Sequence, residues 1–342
     1  MKTVLVVGAG FSGVALAREL VENDPDIFVE IIEERPHIGG NAYDYENEKG
    51  IRVHKYGPHL FHTNNKRIWD WVNRFGEWTE YKHKVKAILK DGTYVTLPVN
   101  KETKEIVGEE NIIETFFAPY TYKMWGKTIE ELDPNIIKRV PIRDDDNEYY
   151  FPNDAYQGMP ILGYTELFNE IVNHDRIVVH LGVSFNKQME STYNGSYAHI
   201  FNAMPIDEYF NYKHGELPYR SIKFNHVDLP TPYILPTTTV NFTHDGPCTR
   251  VTEWKHIPFH GDNPNWTSLT YETPCDYRDN NMERYYPVKD IEGLNRKTYE
   301  EYKKMVGPKM TFIGRCGMYA YLDMHQAINS ALQTATKYLE EK

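Results

Sequence analysis

Thr3-Val4-Leu5-Val6-Val7 runs directly into Gly8-x-Gly10-x-x-Gly13, and an apolar helical repeat begins at Phe11. That junction constrains the fold more than any other string in the chain. A short β-branched run is the pattern of a buried parallel strand. Gly8 permits a tight turn, Gly10 lets the backbone approach a pyrophosphate, and Gly13 lets the helix pack closely on the strand. Val14, Leu16, Ala17, Leu20 and Val21 give the helix from Phe11 to Glu22 its apolar face, and Ile27 to Ile32 reads as a second strand. The result is a βαβ opening of the dinucleotide-binding kind, with the pyrophosphate at the helix N-terminus, where free N–H groups favour anions. Glu33, twenty residues after Gly13, ends the second strand. A carboxylate there accepts hydrogen bonds from ribose hydroxyls and repels a 2′-phosphate. The plain alternative is a solvated charge at a strand end. Arg35 and Gly39-Gly40-Asn41 follow. Paired glycines at this place make either a simple turn or a backbone passing close to a cofactor. In many flavoproteins this segment continues the FAD site, which moves the expectation from NAD toward FAD.

The 342 residues suit two domains, or one with insertions. A net charge of −11 argues against a nonspecific nucleic-acid binder. It also means that an anionic ligand must meet locally placed Arg or Lys. Cys248, Cys275 and Cys316 form no CxxC pair, so neither a disulfide framework nor a metal site is expected. No apolar run approaches the ~20 residues that span a bilayer, and the N-terminus shows no leader pattern. A cytoplasmic protein without stable membrane insertion is the expectation. The 26 tyrosines are read mainly as packing residues, with a minority lining a site for a flat, polar ligand.

The fold class expected is α/β: a Rossmann-like FAD-binding domain with a parallel sheet, a small helical insertion and an antiparallel β-sheet domain. The FAD-binding domain takes residues 1–75, 146–205 and 291–342. Residues 76–100 form a sheet segment, 101–145 the helical insertion with a mobile lid, and 206–290 the antiparallel substrate domain. Asn64 to Phe75 reads as a helix, and Asp91-Gly92 turns a hairpin within Lys84 to Val99. Arg143 to Asn147 is a charged loop. Leu162 to Val172 and Met324 to Leu339 read as helices; Ile177 to Leu181, His199 to Asn202 and Thr311 to Ile313 as strands. Alternation such as Ile222-x-Phe224, Val240-x-Phe242, Val251-x-Glu253 and Leu269-x-Tyr271 marks the second sheet.

A series of unusual strings then follows in order. The first are Ile38-Gly39-Gly40-Asn41-Ala42-Tyr43 and His54-Lys55-Tyr56-Gly57-Pro58-His59-Leu60-Phe61-His62-Thr63-Asn64. Next come Tyr120-Thr121-x-Lys123-x-Trp125-Gly126, Ile136-Ile137-Lys138-Arg139-x-Pro141-x-Arg143 and Tyr156-Gln157-Gly158-x-Pro160. Tyr219-Arg220-Ser221, Thr249-Arg250-x-x-Glu253, Tyr285-Tyr286-Pro287-Val288, Gly314-Arg315 and Tyr321-x-Asp323-Met324-His325-Gln326 complete the series. Over nearly its whole length the chain resembles the bacterial UDP-galactopyranose mutases.

The resemblance implies interconversion of UDP-galactopyranose and UDP-galactofuranose without net redox, in the service of cell-surface or other glycans. It implies FAD that is active when reduced, by NADPH or NADH, and that bonds through flavin N5 to the sugar's anomeric carbon while UDP leaves. It places the diphosphate on Arg139 and Arg250, whose planar forks match phosphate oxygens. His62 goes to the flavin's reacting edge as a catalytic group, and His59 beside sugar and flavin. Tyr120 stacks on uracil. Phe116 and Phe117 either shape that pocket or belong to the helical core. Trp125 sits on the lid, and Tyr150, Tyr286 and Tyr321 bind diphosphate and sugar, with ordinary burial as the alternative. Gly8, Gly10, Phe11, Ser12, Gly13, Glu33, Glu34, Arg35, Gly40, Asn41, His59, Arg315, Tyr321, Asp323 and Met324 make the cofactor site. Asp323 could equally be only an N-cap, and Arg143 is read as structural.

Two departures stand out. The stretch from Pro98 to Phe116 is shorter than in familiar members, which leaves a homodimer possible but open. His83 stands where they carry Asn near the sugar, which opens other hexoses such as UDP-N-acetylgalactosamine. The rival enzyme class is an amine-oxidase-like FAD oxidoreductase. A binding module that has lost its activity is the non-enzyme alternative.

Overall fold

The computed structural model describes residues 2–131, 142–192 and 195–341. Five parallel strands form the first sheet, in the order Ile177–Leu181, Ile27–Glu33, Lys2–Val7, His199–Asn202 and Met310–Phe312. The chain therefore returns to this sheet from both ends. The helix Phe11–Asn23 follows the first strand and packs against the last helix, Met324–Glu340. Leu16, Leu20, Ala331 and Leu332 are almost wholly buried, and a buried Leu contributes about 1.5–3 kcal/mol. Gly13 is fixed by sterics. A Cβ there would lie 1.9 Å from the Gly8 carbonyl oxygen, so no other residue leaves the strand–helix junction intact.

The second sheet has seven strands, in the order Tyr286–Pro287, Tyr219–Leu229, Thr267–Asp276, Arg250–Glu253, Thr239–Phe242, Val85–Ile88 and Tyr94–Leu97. One expectation needs correcting here. The sheet is mixed, because Thr239–Phe242 lies parallel to Val85–Ile88. The early hairpin and the later strands are thus one sheet rather than two segments. Val85 and Ala87 are buried on one face of this joint and Val240 and Val251 on the other, so both faces are covered, and the long connection between the strands makes a parallel pairing possible. The hairpin turn itself is as expected, with Gly92 at φ +90°.

A small third sheet pairs Tyr156–Pro160 with Phe61–Thr63 and Trp78–Glu80. The helix expected from Asn64 starts at Lys66, because Asn65 caps it by accepting from the Ile68 N–H. The insertion is a set of short pieces: the helix Lys101–Val107 capped by Asn100, a π-turn at Ile113–Phe117, and the helix Ala118–Trp125. Arg143 is structural, as expected, and only 9% exposed. Its guanidinium donates to the carbonyls of Pro98, Asn147 and Tyr149, not chiefly to the neighbouring aspartates. Among the described residues no helix is long and apolar enough to cross a membrane.

Candidate active site

At the carboxyl edge of the parallel sheet the backbone itself forms a cradle. Gly8, Gly39 and Gly40 all have positive φ. A Cβ on Gly40 would meet the Gly10 Cα at 3.0 Å, so two glycine loops touch there with no side chain between them. Gly10 caps the helix without a side-chain bond, which leaves N–H groups of the first turn for an anion. Glu33 is 7% exposed, and its two oxygens accept from the Ala9 N–H at 2.8 Å and the Arg35 N–H at 2.9 Å. Those bonds hold the carboxylate at the strand end with acceptor capacity to spare. Arg35 pairs with Glu283 at 2.5 Å, donates to Asn41 at 3.0 Å and lies over the Tyr56 ring. Phe11 faces the core, 4.4 Å from the Phe168 ring centroid, so only its backbone is placed to meet a ligand. Ser12 is buried beside Gly314, and Glu34 is exposed.

Two adjoining cavities open beyond this edge. One, of about 300 Å³, is lined by Phe116, Phe117, Tyr120, Met124 and Trp125. The other, of about 600 Å³, is lined by His59, His62, His83, Phe151, Arg315, Asp323, Met324 and His325. Tyr120, Tyr150, Asn241, Arg250, Tyr286, Lys289 and Tyr321 line both, so the two are lobes of one cleft.

Arg250 stands at the junction of the lobes, on the strand Arg250–Glu253 of the mixed sheet. Its Nε is 2.8 Å from Oε1 of Glu272, which is 1% exposed on the neighbouring strand. Burial opposes the Arg250 charge, but the Glu272 carboxylate, with Tyr120 and Tyr286 adding to it, more than offsets that cost and holds the guanidinium protonated. Burial pushes the Tyr120 phenol up to about 12 and lowers the His59 imidazole to about 4. Burial also takes His83 down to about 3, with Arg250 adding to the effect. Among the described residues the cleft therefore presents the cations Arg250, Lys289 and Arg315 beside neutral His59 and His83 imidazoles and a neutral Tyr120 phenol.

His62 sits on the strand Phe61–Thr63. Its Nδ1 meets Asp154 Oδ2 at 2.5 Å, and its ring stacks on Phe151 at 3.6 Å. Tyr286 and Tyr321 stack at 5.5 Å. Arg315 donates to the carbonyls of Tyr285 and Leu322 and lies near the rings of Tyr285, Tyr286 and Tyr321. Asp323 is the N-cap of the last helix and forms a capping box with Gln326. Its capping role and its place on the cavity wall coexist.

Trp125, expected on a lid, has defined neighbours on the side of the mixed sheet. That residue ends a helix whose last carbonyls, Lys123 and Met124, accept from Arg220, while Lys123 itself donates to the Phe242 carbonyl. These bonds tie it to the mixed sheet. Residues 132–141, including Arg139, lie outside the described residues.

The sequence reading missed Asp154, Phe151, Glu272, Asn241 and Lys289. Asp154 and Glu272 act by holding His62 and Arg250, and a positioning carboxylate carries no motif of its own. Asn241 had a signal. It alternates between Val240 and Phe242 on a strand, and its buried Oδ1 has no protein partner.

A Rossmann edge joined to a cleft with a clamped arginine, tyrosines and aromatic walls is the architecture of a dinucleotide-binding fold with a second pocket beside the nucleotide edge. The comparisons with known proteins narrow this. Residues 6–75 match the model of an NAD(P)-binding Rossmann-like domain, and residues 115–321 match the UDP-galactopyranose mutase model. A Klebsiella pneumoniae protein described as a probable UDP-galactopyranose mutase is 33% identical, covering 99% of this chain and 95% of that protein. The Escherichia coli dTDP-fucopyranose mutase is also 33% identical, covering 99% of each. The crystal structure of a reduced UDP-galactopyranose mutase superposes with a TM-score of 0.75 at 15% identity, covering all of this chain and 94% of that one. The chain belongs to the UDP-galactopyranose mutase family. The Klebsiella alignment runs over 377 positions, more than the 342 residues here, so this chain is the shorter in places.

Proposed function

We propose that the protein interconverts the pyranose and furanose forms of a nucleotide-linked hexose, with UDP-galactose the first candidate. The single observation that carries this reading is Arg250. It is locked on buried Glu272 and lines both lobes of a tyrosine-rich cleft. A fixed guanidinium there would take the diphosphate in a chain whose net charge repels it.

The cradle fits FAD. Glu33 would take the ribose, the Gly8–Gly13 and Gly39–Gly40 backbone the pyrophosphate, and the wall from His59 to Met324 the isoalloxazine. When bound and reduced, FAD would supply the nucleophile for the anomeric carbon, with no net transfer of electrons over the cycle. The chain's own residues do the rest. Arg250 stabilises the departing diphosphate, with Arg139 assigned as its partner from the family motif. Phe116, Tyr120 and Trp125 hold the base. Tyr150, Tyr286 and Tyr321 donate to phosphate or sugar as neutral phenols. Asp154 keeps the proton on His62 Nδ1, which leaves Nε2 for the reacting edge.

The sugar and base are tested directly. Reduced, FAD-loaded protein is incubated with the furanose forms of UDP-galactose, UDP-N-acetylgalactosamine and dTDP-fucose, and the products are separated by chromatography. Formation of a pyranose without net consumption of reductant supports the mutase reading. Stoichiometric consumption of an electron acceptor supports an oxidase instead. The dTDP-fucose arm is included because that relative is as similar as the Klebsiella protein. Arg139→Ala and Arg250→Ala should each leave FAD bound and remove nearly all turnover. A near-normal rate in either variant overturns its diphosphate assignment.

A further inference from the structure

Two buried imidazoles near the cleft take part in none of the steps above. His54 is 0% and His260 1% exposed, and their Nε2 atoms lie 3.1 Å apart. At that distance one nitrogen donates and the other accepts. Their outer contacts decide which. The His59 backbone N–H can only donate, and it lies 3.1 Å from His54 Nδ1. His54 Nδ1 must therefore accept, so the His54 proton is on Nε2. That proton goes to His260 Nε2. His260 then carries its own proton on Nδ1, which lies 3.1 Å from the Pro258 carbonyl, an acceptor only. One arrangement satisfies every atom, and reversing it would set N–H against N–H.

The chain of constraints continues to the cleft. His59 Nδ1 faces the Gly57 carbonyl at 2.9 Å, so it too carries the proton. In the neutral ring Nε2 is then a lone-pair acceptor, and His59 lines the larger lobe. Aromatic packing holds His54 in place, with Trp254 at 4.7 Å and Tyr164 at 5.6 Å between ring centroids. Burial disfavours a second proton on either imidazole, and Arg52 adds to the effect.

The geometry points to His54 and His260 as positioning residues: an ordered hydrogen-bond wire that fixes the Gly57–His59 turn, so that His59 offers Nε2 as an acceptor to a donor in the cleft. This deepens the proposed function and rests on it for the donor, which is a hydroxyl of the sugar or an N–H of the cofactor.

The test uses full-length, FAD-loaded protein with ring-¹⁵N histidine, and long-range ¹H–¹⁵N correlations read each tautomer. The expected pattern is Nε2–H at His54 and Nδ1–H at His59 and His260; any other pattern overturns the inference. This readout does not depend on turnover, so it stands or falls apart from the choice of substrate. A shift of His59 Nε2 on adding UDP-sugar, but not UDP, assigns the donor to the sugar. A shift on FAD loading alone assigns it to the cofactor, and no shift in either case overturns the acceptor role. His260→Gln, whose amide oxygen can replace the accepting Nε2, should keep the pattern at His54 and His59 and a near-normal kcat. His260→Leu strands the His54 N–H and should lower kcat about tenfold with FAD content and UDP affinity unchanged. Wild-type kcat in His260→Leu overturns the positioning role. If that variant does not fold, the wild-type tautomers and His260→Gln decide the matter.

Discussion

At the edge of the parallel sheet, the dinucleotide cradle is made of backbone and of residues close together in the chain: Gly8 to Gly13, Glu33, and Gly39 to Asn41. Across the cleft, Arg250, Tyr120, His62 and Tyr286 arrive from separate strands and helices and act through their side chains. The first region works by leaving room, so its chemistry is fixed by what is absent. The second works by pairing, so each working group depends on a partner distant in sequence. The two should therefore fail differently when mutated, one by losing the cofactor and the other by losing rate.

Gly13→Ala tests the first side with the largest expected effect. Its Cβ would stand 1.9 Å from a backbone oxygen that cannot yield without moving the strand–helix junction. The expected cost exceeds ~4 kcal/mol, with no FAD retained. A denaturant melt and the flavin absorbance of the purified variant check both. A yellow, stable Gly13→Ala protein would mean that the cradle is not set by backbone clearance.

Arg250→Ala tests the second side. FAD should stay bound while turnover falls on the order of 10²–10³-fold, the range for loss of one preorganised charge donor. Removing the guanidinium also leaves Glu272 buried without its partner. A stability loss of about 3–5 kcal/mol should accompany the rate loss. In Arg250→Ala/Glu272→Gln much of the stability should return and none of the rate, which separates the structural from the catalytic share of the pair.

The same contrast explains what the sequence could show. The βαβ opening, Glu33 and the second glycine pair were legible because each requirement is local: a turn, a close approach, a strand end. Tyr120, Arg250 and Tyr286 were reached only through ordered family strings, since a lone Arg or Tyr is ambiguous. Asp154 and Glu272 stayed hidden because a carboxylate's task is set by what folds against it. The parallel joint between Thr239–Phe242 and Val85–Ile88 was missed for a related reason. Alternation identifies a strand, but not the direction of its neighbour. The bond from Arg220 to the Met124 carbonyl, beside Trp125, was equally invisible in the sequence, because the two residues are far apart in the chain.

Asp154→Asn is the intermediate case, because it keeps shape and removes charge. It weakens the bond that holds the His62 Nδ1 proton, 2.5 Å away in the native pair. kcat should fall about tenfold with KM and FAD content little changed, as for other partners that orient a working histidine. A change confined to KM would instead place His62 in ground-state binding.

His83→Asn should have the smallest effect and sharpens the comparison most finely. Buried beside Arg250, His83 titrates near 3 in the fold against about 6.5 in the open chain. A lowered native value means that the unfolded state binds the extra proton between those limits. His83 therefore costs nothing above pH ~6.5, and stability is lost progressively as pH falls toward 3. By pH 5 the loss from this one group is about 2 kcal/mol. Asn does not titrate, so the variant's unfolding free energy should fall less steeply between pH 7 and pH 5, by the share of one proton, in parallel urea melts. Tyr81 donates to or accepts from His83 Nδ1 at 3.1 Å and bonds Thr238 on its other side, so the side chain is held at the cavity wall. If substrate preference shifts between galactose and N-acetylgalactosamine while the pH slope flattens, a single buried imidazole sets both sugar choice and acid sensitivity. If the slope flattens with preference unchanged, its role is confined to the wall, and sugar discrimination lies among the residues gathered around His59.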